Sequence, residues 1–526
     1  MVCIHRSCNA AANSCKNSAW HAFHGTALLC GIYTREEIET KRIEMEMGSR
    51  VARLLAAVAL AALLCCVTIS PCDGQQQPDY RAALESSLLY FEGQRSGKLP
   101  PDQRVTWRGD SALADGTDHG VDLTGGYYDS GDNVKFGLPL AFTVTMLAWG
   151  AVEHDRALAA AGELEHALAA VRWGADYLAR AHAGDEVLYV QVGDGDSDHS
   201  CWQRPEDMDT PRTAYAVDAA RPGSDVAAET AAALAAAAVA FRQLDAPYSS
   251  MLLAHAEKLF SFATNHRGLY QNSVPSARAF YGSSGDEDEL LWAAAWLYVA
   301  TGGDAYKAYI ASHCGAQQSF SWDNKFLILE GKLPNQGTAA ESKSNLEQFL
   351  CNVVQRGSGN IRLTAGGMLW WQSWANLQFV TAATFVLVAH ADHLAAAGAT
   401  LQCGGAPLPP ADLLAFARQQ VNYILGVNPS KMSYMVGQGV AFPTKVHHRG
   451  ASLPCIKADP AKITCRGGFD YFHRDTPNPN VLAGAIVGGP DENDQYNDNR
   501  ENYQQAEPST VTVAPIVGVL ARLLQN

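Results

Sequence analysis

Two aspartates three positions apart, Asp129 and Asp132, stand in "GGYYDSGDN", and a glutamate, Glu507, stands far downstream in "DNRENYQQAEPST". Acid/base work on a covalent bond needs one carboxyl that holds a proton and one that takes a proton. Hydrolysis of a glycosidic bond uses such a pair. The glycines before the aspartates permit a tight turn that aims both side chains at one spot. Two like charges that close raise one pKa unless something neutralises them, so donors are expected beside them. Pro508 favours extended backbone at Glu507 and a helix starting at Pro508. The positive end of that helix lowers the glutamate's pKa. A proton donor at Glu507 therefore requires burial and the aspartates' charges to outweigh the helix. Spacing alone leaves a plainer alternative open, in which the aspartates cap a helix and Glu507 is an ordinary first-turn acid.

Two further segments carry chemistry. "KVHHRGASLP" holds His447, His448 and Arg449 in a glycine-bounded loop, able to offer donors to hydroxyls and a counter-charge to the acids. No H-E-x-x-H or cysteine cluster accompanies the histidines as a zinc site would require. "DHSCWQRPEDMDTPR" is polar and proline-broken, and its Trp202 is expected to serve as a platform for a sugar ring. Asp194, Asp196 and Asp198 open like an EF-hand, but position six is His199 where glycine is required.

The elements that must position these residues are helical. Apolar stretches recur between Gly/Pro-marked turns and predict helices near 79–95, 139–155, 163–182, 225–244, 248–265, 287–300, 304–314, 323–331, 340–356, 377–397, 411–425 and 509–524. "EVLYVQVG" is the best strand. The stretch from Asp225 to Leu244 is apolar on nearly every face, as in a helix buried all round. Such helices inside and amphipathic ones outside predict an all-α fold with two concentric layers, the long loops at one end holding the site. No charged or Pro/Ser-rich linker interrupts 77–526, which reads as one domain.

The chain has 526 residues and a net charge of −15, with 47% hydrophobic and 18% charged residues. A large core is expected, and an acidic surface disfavours nucleic acid or an anionic membrane as partner. Met47–Ser70 has Arg50 and Arg53, then an uncharged apolar run, the pattern of a secretory signal peptide. This predicts a signal at 47–74, a non-native leader at 1–46, and a secreted protein with no membrane partner after cleavage. Of thirteen cysteines, six follow Cys72. In an oxidising compartment Cys455–Cys465 is the first pairing expected and Cys314–Cys351 the second.

The strings "WRGDSALADG", "GGYYDSGDNVKFGLPLAFT", "DHSCWQRPEDMDTPRTAY", "DELLWAAAWLY", "FSWDNK", "KMSYMVGQG", "VHHRGASLP" and "DNRENYQQAEPST" together resemble glycoside hydrolase family 9, specifically the secreted plant-type endo-β-1,4-glucanases. The resemblance spans about 77–526. It implies an (α/α)6 barrel of about twelve helices, an inverting general acid/base mechanism and a β-1,4-glucan as partner. By motif, Asp132 corresponds to the base, Asp129 to a holder of the water, and Glu507 to the acid. His447 and Asp498 join the catalytic set; Arg449, His199 and Trp202 match substrate-contacting positions. No cofactor is required, but some members bind calcium, and Ser284, Gly285, Asp288, Glu289 and Asp323 fit that element. The chain departs from the family at Val511 and Val513, where tyrosine and asparagine are usual, at Ala441, and at Ser130. A same-fold hydrolase of another cell-wall β-glucan or xylan, and a glucan-binding protein weakened in catalysis, are the alternatives. A monomer without a C-terminal carbohydrate-binding module is expected.

Overall fold

A computed structural model describes residues 77–313, 319–325 and 339–525. The expected leader and signal segments lie outside these residues. Eleven long helices dominate: α1 (Tyr80–Gln94), α2 (Gly137–Glu153), α3 (Leu164–Ala181), α4 (Ser224–Phe241), α5 (Ala246–Asn265), α6 (Glu287–Thr301), α7 (Asp304–Ser312), α8 (Ala339–Val353), α9 (Leu377–Ala397), α10 (Pro410–Ile424) and α11 (Thr510–Leu523). Each matches a helix expected from the sequence. The twelfth, at 323–331, is not seen in its first three residues: Trp322 and Asp323 form a turn closed by Ser321 and Asn324, and 326–331 lie outside the described residues.

The apolar helices form the inner layer of an (α/α)6 barrel. α6, α4, α2, α11 and α9 pack side by side in that order, with α5 outside α4, α7 outside α6 and α10 outside α9. Helix α4 is buried from Ser224 to Ala238, as its alanine-rich, all-round apolar sequence requires. α4 and α9 are long and apolar enough to cross a membrane, yet most of each is buried inside the barrel. Alanine and glycine let these inner helices approach closely. At the α2–α11 crossing a Cβ on Gly150 would lie 3.2 Å from the Gly518 Cα.

A small antiparallel sheet sits beside the barrel. Its strands are β1 (Lys135–Phe136), β2 (His182–Gly184), β3 (Val187–Val192) and β4 (Ala214–Asp218); β3 is central and confirms the strand read from "EVLYVQVG". A hairpin of β5 (Leu401–Cys403) and β6 (Ala406–Leu408) follows α9. Both disulfides differ from expectation. Cys465 joins Cys201, not Cys455, because the two loops already pair through Trp202 N–H and the Cys465 carbonyl at 3.2 Å. Cys351 joins Cys403, not Cys314, because the β5–β6 hairpin packs on α8.

Gly518 tests how tightly the inner layer is packed. A Cβ there would come within 2.5 Å of Phe385 Cε2 and 3.1 Å of Gly150 Cα. Gly518→Val should destabilise the fold by about 1–3 kcal/mol, read as a lower urea midpoint; an unchanged midpoint would mean the helices separate freely.

Candidate active site

The site is built where three chain segments meet at Gly131. Its N–H donates to Glu507 Oε1 at 3.1 Å, and its carbonyl accepts from Arg449 N and Nη1, each at 3.0 Å. A Cβ at Gly131 would lie 2.1 Å from the His447 carbonyl oxygen, so only glycine permits this approach. Asp129 and Asp132 flank this residue. The Asp129 N–H donates to the Val134 carbonyl, the Thr510 N–H donates to the Asp129 carbonyl at 3.0 Å, and Asp132 Oδ1 accepts from Val134 N at 2.9 Å. The three carboxyl groups expected to do the chemistry are thus brought together.

Glu507 does not sit at the first turn of a helix. It ends a short helix, Tyr503–Ala506, in extended backbone as Pro508 dictates, and α11 begins only at Thr510. Its contact with Gly131 keeps the chain extended past Pro508, and the first free N–H of α11 goes to Asp129. The expected contest between helix and burial resolves for burial. Burial first, then the charge of Asp132, pushes the Glu507 carboxyl up to about 8, against the pull of the Gly131 N–H and Arg449. Asp129 is raised to about 8, chiefly by burial and then by Asp132. Asp132 is also raised, by burial and then Asp198, with His199 and Arg449 opposing.

Several partners were invisible in the sequence. The Tyr281 hydroxyl, at the end of the short helix Pro275–Tyr281, donates to Asp129 Oδ2, and Ser130 Oγ lies 3.1 Å from Asp129 Oδ2 and 3.3 Å from Asp132 Oδ2. Gln94, in the last turn of α1, donates to the Ser130 carbonyl at 2.7 Å and to the Tyr128 carbonyl at 3.2 Å. Its own carbonyl meets His448 Nε2 at 2.7 Å. A tyrosine after "ARAF" and a glutamine in an amphipathic helix carry no local signal of such roles. Beneath the loop, buried Lys135 and half-buried Arg212 share Asp115, at 2.7 Å and 2.9 Å, and Arg212 Nη1 also holds the Asn133 carbonyl.

Four of the expected groups sit in settings the sequence did not show. Arg449 was expected to bind substrate. It is 2% exposed, and its guanidinium bonds the carbonyls of Cys201, Gly131 and Asp198 and pairs with the Asp198 carboxylate at 3.0 Å. These contacts fix backbone and supply counter-charge. Trp202 was expected to be a platform. It is 3% exposed, with Arg449 4.8 Å over its ring and Phe472 at 4.5 Å, so both stay within the protein. Asp498 was grouped with the catalytic residues. It accepts from Thr444 N, Thr444 Oγ1 and Lys445 N, which makes it a clamp on the loop that carries His447.

The calcium element is the fourth. Ser284, Gly285, Asp288, Glu289 and Asp323 do gather, but Asp323 Oδ1 accepts from Ser284 N, Asp288 Oδ2 from Lys325 N, and Glu289 Oε1 from Lys325 Nζ. The Gly285 carbonyl accepts from Ser283 Oγ at 2.6 Å. Among the described residues no three acidic, histidine or cysteine side chains converge on one point. In this arrangement the Lys325 ammonium pairs with both Glu289 and Glu229, at 2.7 Å and 3.2 Å.

His447 and His199 remain at the site. His447 Nδ1–H donates to the Arg500 carbonyl at 2.8 Å, and burial, then Arg449, holds the imidazole down to about 3. It is neutral, with Nε2 left as an acceptor. His199 is exposed, lies 4.7 Å from the Phe280 ring, and bonds the Gly195 carbonyl through Nδ1 at 2.7 Å. The exposed aromatics nearby are Trp374, 50% exposed, and Tyr503, 44% exposed, with rings 5.2 Å apart. Tyr503 lies 5.9 Å from the His447 ring, and the loop of Trp374 is tied to the acid's segment by Ala375 N–H to the Gln504 carbonyl at 2.9 Å. Val511 and Val513 are buried in the core side of α11.

Comparison with known proteins agrees with this architecture. The description of Glycosyl hydrolase family 9 matches residues 80–520. A protein of Oryza sativa subsp. japonica named Endoglucanase 14 is 62% identical over 520 residues, covering 90% of this chain and 100% of the relative. Endoglucanase 13 of Arabidopsis thaliana is 57% identical, covering 84% and 93%. Among solved structures, an endoglucanase of the termite Nasutitermes takasagoensis superposes with a TM-score of 0.76 at 41% identity, over 85% of this chain and 98% of that one. Endoglucanase CelQ of Clostridium thermocellum, complexed with cellotetraose, gives 0.72 at 30% identity, over 85% and 70%.

Burial of Glu507 has a consequence for stability. Its carboxyl rises from 4.5 to about 8 on folding, so the folded state binds more protons between those values. The stabilisation is complete below about 4.5 and is lost as pH rises through about 8. Glu507→Gln should lack this loss: its thermal midpoint should gain on the parent's from pH 5 to pH 8. Parallel midpoints across that range would contradict the burial argument.

Proposed function

The chain belongs to glycosyl hydrolase family 9 and is an endo-β-1,4-glucanase, and from that premise we propose that it cleaves internal bonds of a cellulose-type glucan by single displacement with inversion. The observation that carries this reading is the meeting of Asp132 and Glu507 at Gly131 with unequal surroundings. Asp132 has His199 and Arg449 to favour its charge. Glu507, raised to about 8, keeps its proton at neutral pH. Asp132 takes a proton from a water as that water attacks the anomeric carbon. Glu507 protonates the departing oxygen. Asp129, held by Tyr281 and Ser130, shares the water with Asp132. Inversion needs roughly 6.5–9.5 Å between the two working carboxyls to admit that water.

The neutral His447 offers Nε2 to a sugar hydroxyl, and Trp374 with Tyr503 offers aromatic surface for a sugar ring. Cello-oligosaccharides bound by CelQ support a β-1,4-glucan as the partner. Secretion is part of the proposal. It is supported by the basic-then-apolar segment at Met47–Ser70 and by two disulfides in the catalytic domain.

Two experiments test the reading. The product released from a soluble β-glucan should appear first as the α-anomer, followed by NMR, and Asp132→Asn should lower kcat by about 10²–10⁴-fold with the fold intact. Retention of configuration, or a near-wild-type Asp132→Asn, would overturn it. The rate should fall on the alkaline side with an apparent pKa near 8, as Glu507 loses its proton. Trp374→Ala should raise KM by about ten-fold, from one lost stacking contact, with kcat nearly unchanged; an unaltered KM would remove this aromatic pair from the binding surface.

A further inference from the structure

Gly131 meets two demands that pull against each other. Only a residue without a side chain lets the His447 carbonyl come this close, yet such a residue leaves its flanking peptide planes little to resist rotation. One of those planes matters to the chemistry. The Ser130 carbonyl and the Gly131 N–H belong to a single trans peptide, so they point in opposite directions. The N–H end reaches Glu507 Oε1 at 3.1 Å, and the carbonyl end accepts from Gln94 Nε2 at 2.7 Å. The plane on the other side of Gly131 is held by Arg449, through the Gly131 carbonyl. Gln94 and Arg449 thus clamp the glycine from both sides.

Gln94 is itself held. It is the last residue of α1 and fully buried, and its backbone carbonyl accepts from Tyr128 N at 2.9 Å. A side-chain amide can turn over and exchange its donor for its acceptor, which would set oxygen against oxygen at Ser130. His448 prevents this. Its Nδ1 accepts the Ala451 N–H at 2.9 Å, so the proton of the neutral ring lies on Nε2, which donates to Gln94 Oε1 at 2.7 Å. Burial, then Arg108 and Arg449, hold the imidazole down to about 3, which keeps it neutral. The Tyr90 hydroxyl is the other polar neighbour of the Gln94 side chain.

We propose that Gln94, its amide oriented by His448, is a positioning residue of the catalytic acid: it fixes the Ser130–Gly131 peptide so that the Gly131 N–H stays on the Glu507 carboxyl. This rests on the assignment of Glu507 as acid. The bond from Gln94 to the carbonyl also polarises the N–H at the far end of the same peptide. Without Gln94 the plane is free to turn, and Glu507 loses a donor that favours its ionised form. The acid then keeps its proton to higher pH. The other charged and titratable groups facing Glu507 are Asp132, Arg449 and Asp129, with the Tyr90 and Tyr281 hydroxyls. Around His448 they are Arg108, Arg449 and His447.

Gln94→Met keeps the length of the side chain and removes its amide. It should lower kcat about ten-fold, leave KM within about two-fold and move the alkaline limb up by about 0.7 pH unit, the worth of one hydrogen bond. A role in packing alone would alter the thermal midpoint and leave the limb in place. Two variants of His448 decide the matter even where Gln94→Met does not fold. His448→Asn preserves the acceptor for Ala451 and loses the donor to Gln94, whereas His448→Gln does the reverse. The first should shift the limb as Gln94→Met does, and the second should leave it at the parent's pH. The proposal fails if Gln94→Met folds and keeps the parent's kcat and limb, or if His448→Asn and His448→Gln behave alike. Glu507→Gln, measured on an aryl cellobioside whose leaving group needs no proton, keeps the two ideas apart. An alkaline limb that persists there would remove Glu507 as the acid. Its loss there, beside an unmoved limb in Gln94→Met, would remove the role of Gln94 alone.

Discussion

Three carboxyl groups crowd into one water-poor space, and they cannot all carry charge there. The rest of the active end follows from this constraint. Each ionised carboxylate is expensive where water is excluded, and each raises the cost of the next. One guanidinium, that of Arg449, pairs with Asp198 within the field of Asp132 and Glu507. Charge is therefore rationed. Asp132 gets most of the help, and Glu507 and Asp129 are left above the usual carboxylate range. A proton donor and a proton acceptor are produced from chemically similar groups by where each one sits.

Holding like charges together demands rigid backbone, and the barrel supplies it. Inner helices α2 and α11 bring their N-terminal ends to one rim. The chain from Asp129 to Lys135 enters α2 there, and α11 leaves it just after Glu507. Thr143 and Thr510 tie the two helices by a 3.0 Å hydrogen bond, and Thr510 N–H caps the Asp129 carbonyl. Gly131 then lets the 447–449 loop touch the catalytic turn. Below, Lys135, Asp115 and Arg212 form a buried ionic set that holds the loop, at a desolvation cost that only completed pairing can offset.

The burial of Arg449 and Trp202 has a common reason. Residues that look like binding groups, a cation and a large aromatic, are drawn inward because the loops carrying the acids need support. The disulfide from Cys201 to Cys465 fastens the same loops, and Trp202 Nε1 donates to Ser452 Oγ at 2.9 Å. The exposed aromatic surface near the acids belongs instead to residues with ordinary neighbours. Trp374 and Tyr503 stand exposed, next to the segment that bears the acid.

The amino-acid sequence by itself determined the helical layers, because the spacing of apolar residues is a local property that survives in any fold these residues adopt. It also singled out Asp129, Asp132 and Glu507 as the candidate acids, since glycine-rich turns and Pro508 constrain backbone within a few residues. Tertiary structure alone decided that Asp129, Asp132 and Glu507 meet at Gly131, that Tyr281 and Gln94 hold their turn, and that Cys465 chooses Cys201. It decided the start of α11 as well, two residues later than Pro508 suggested, because a contact between distant segments outweighed a local preference. Proton affinity belongs to this second class: it depends on burial and on neighbouring charge, and both arise only when residues far apart in the chain are packed together.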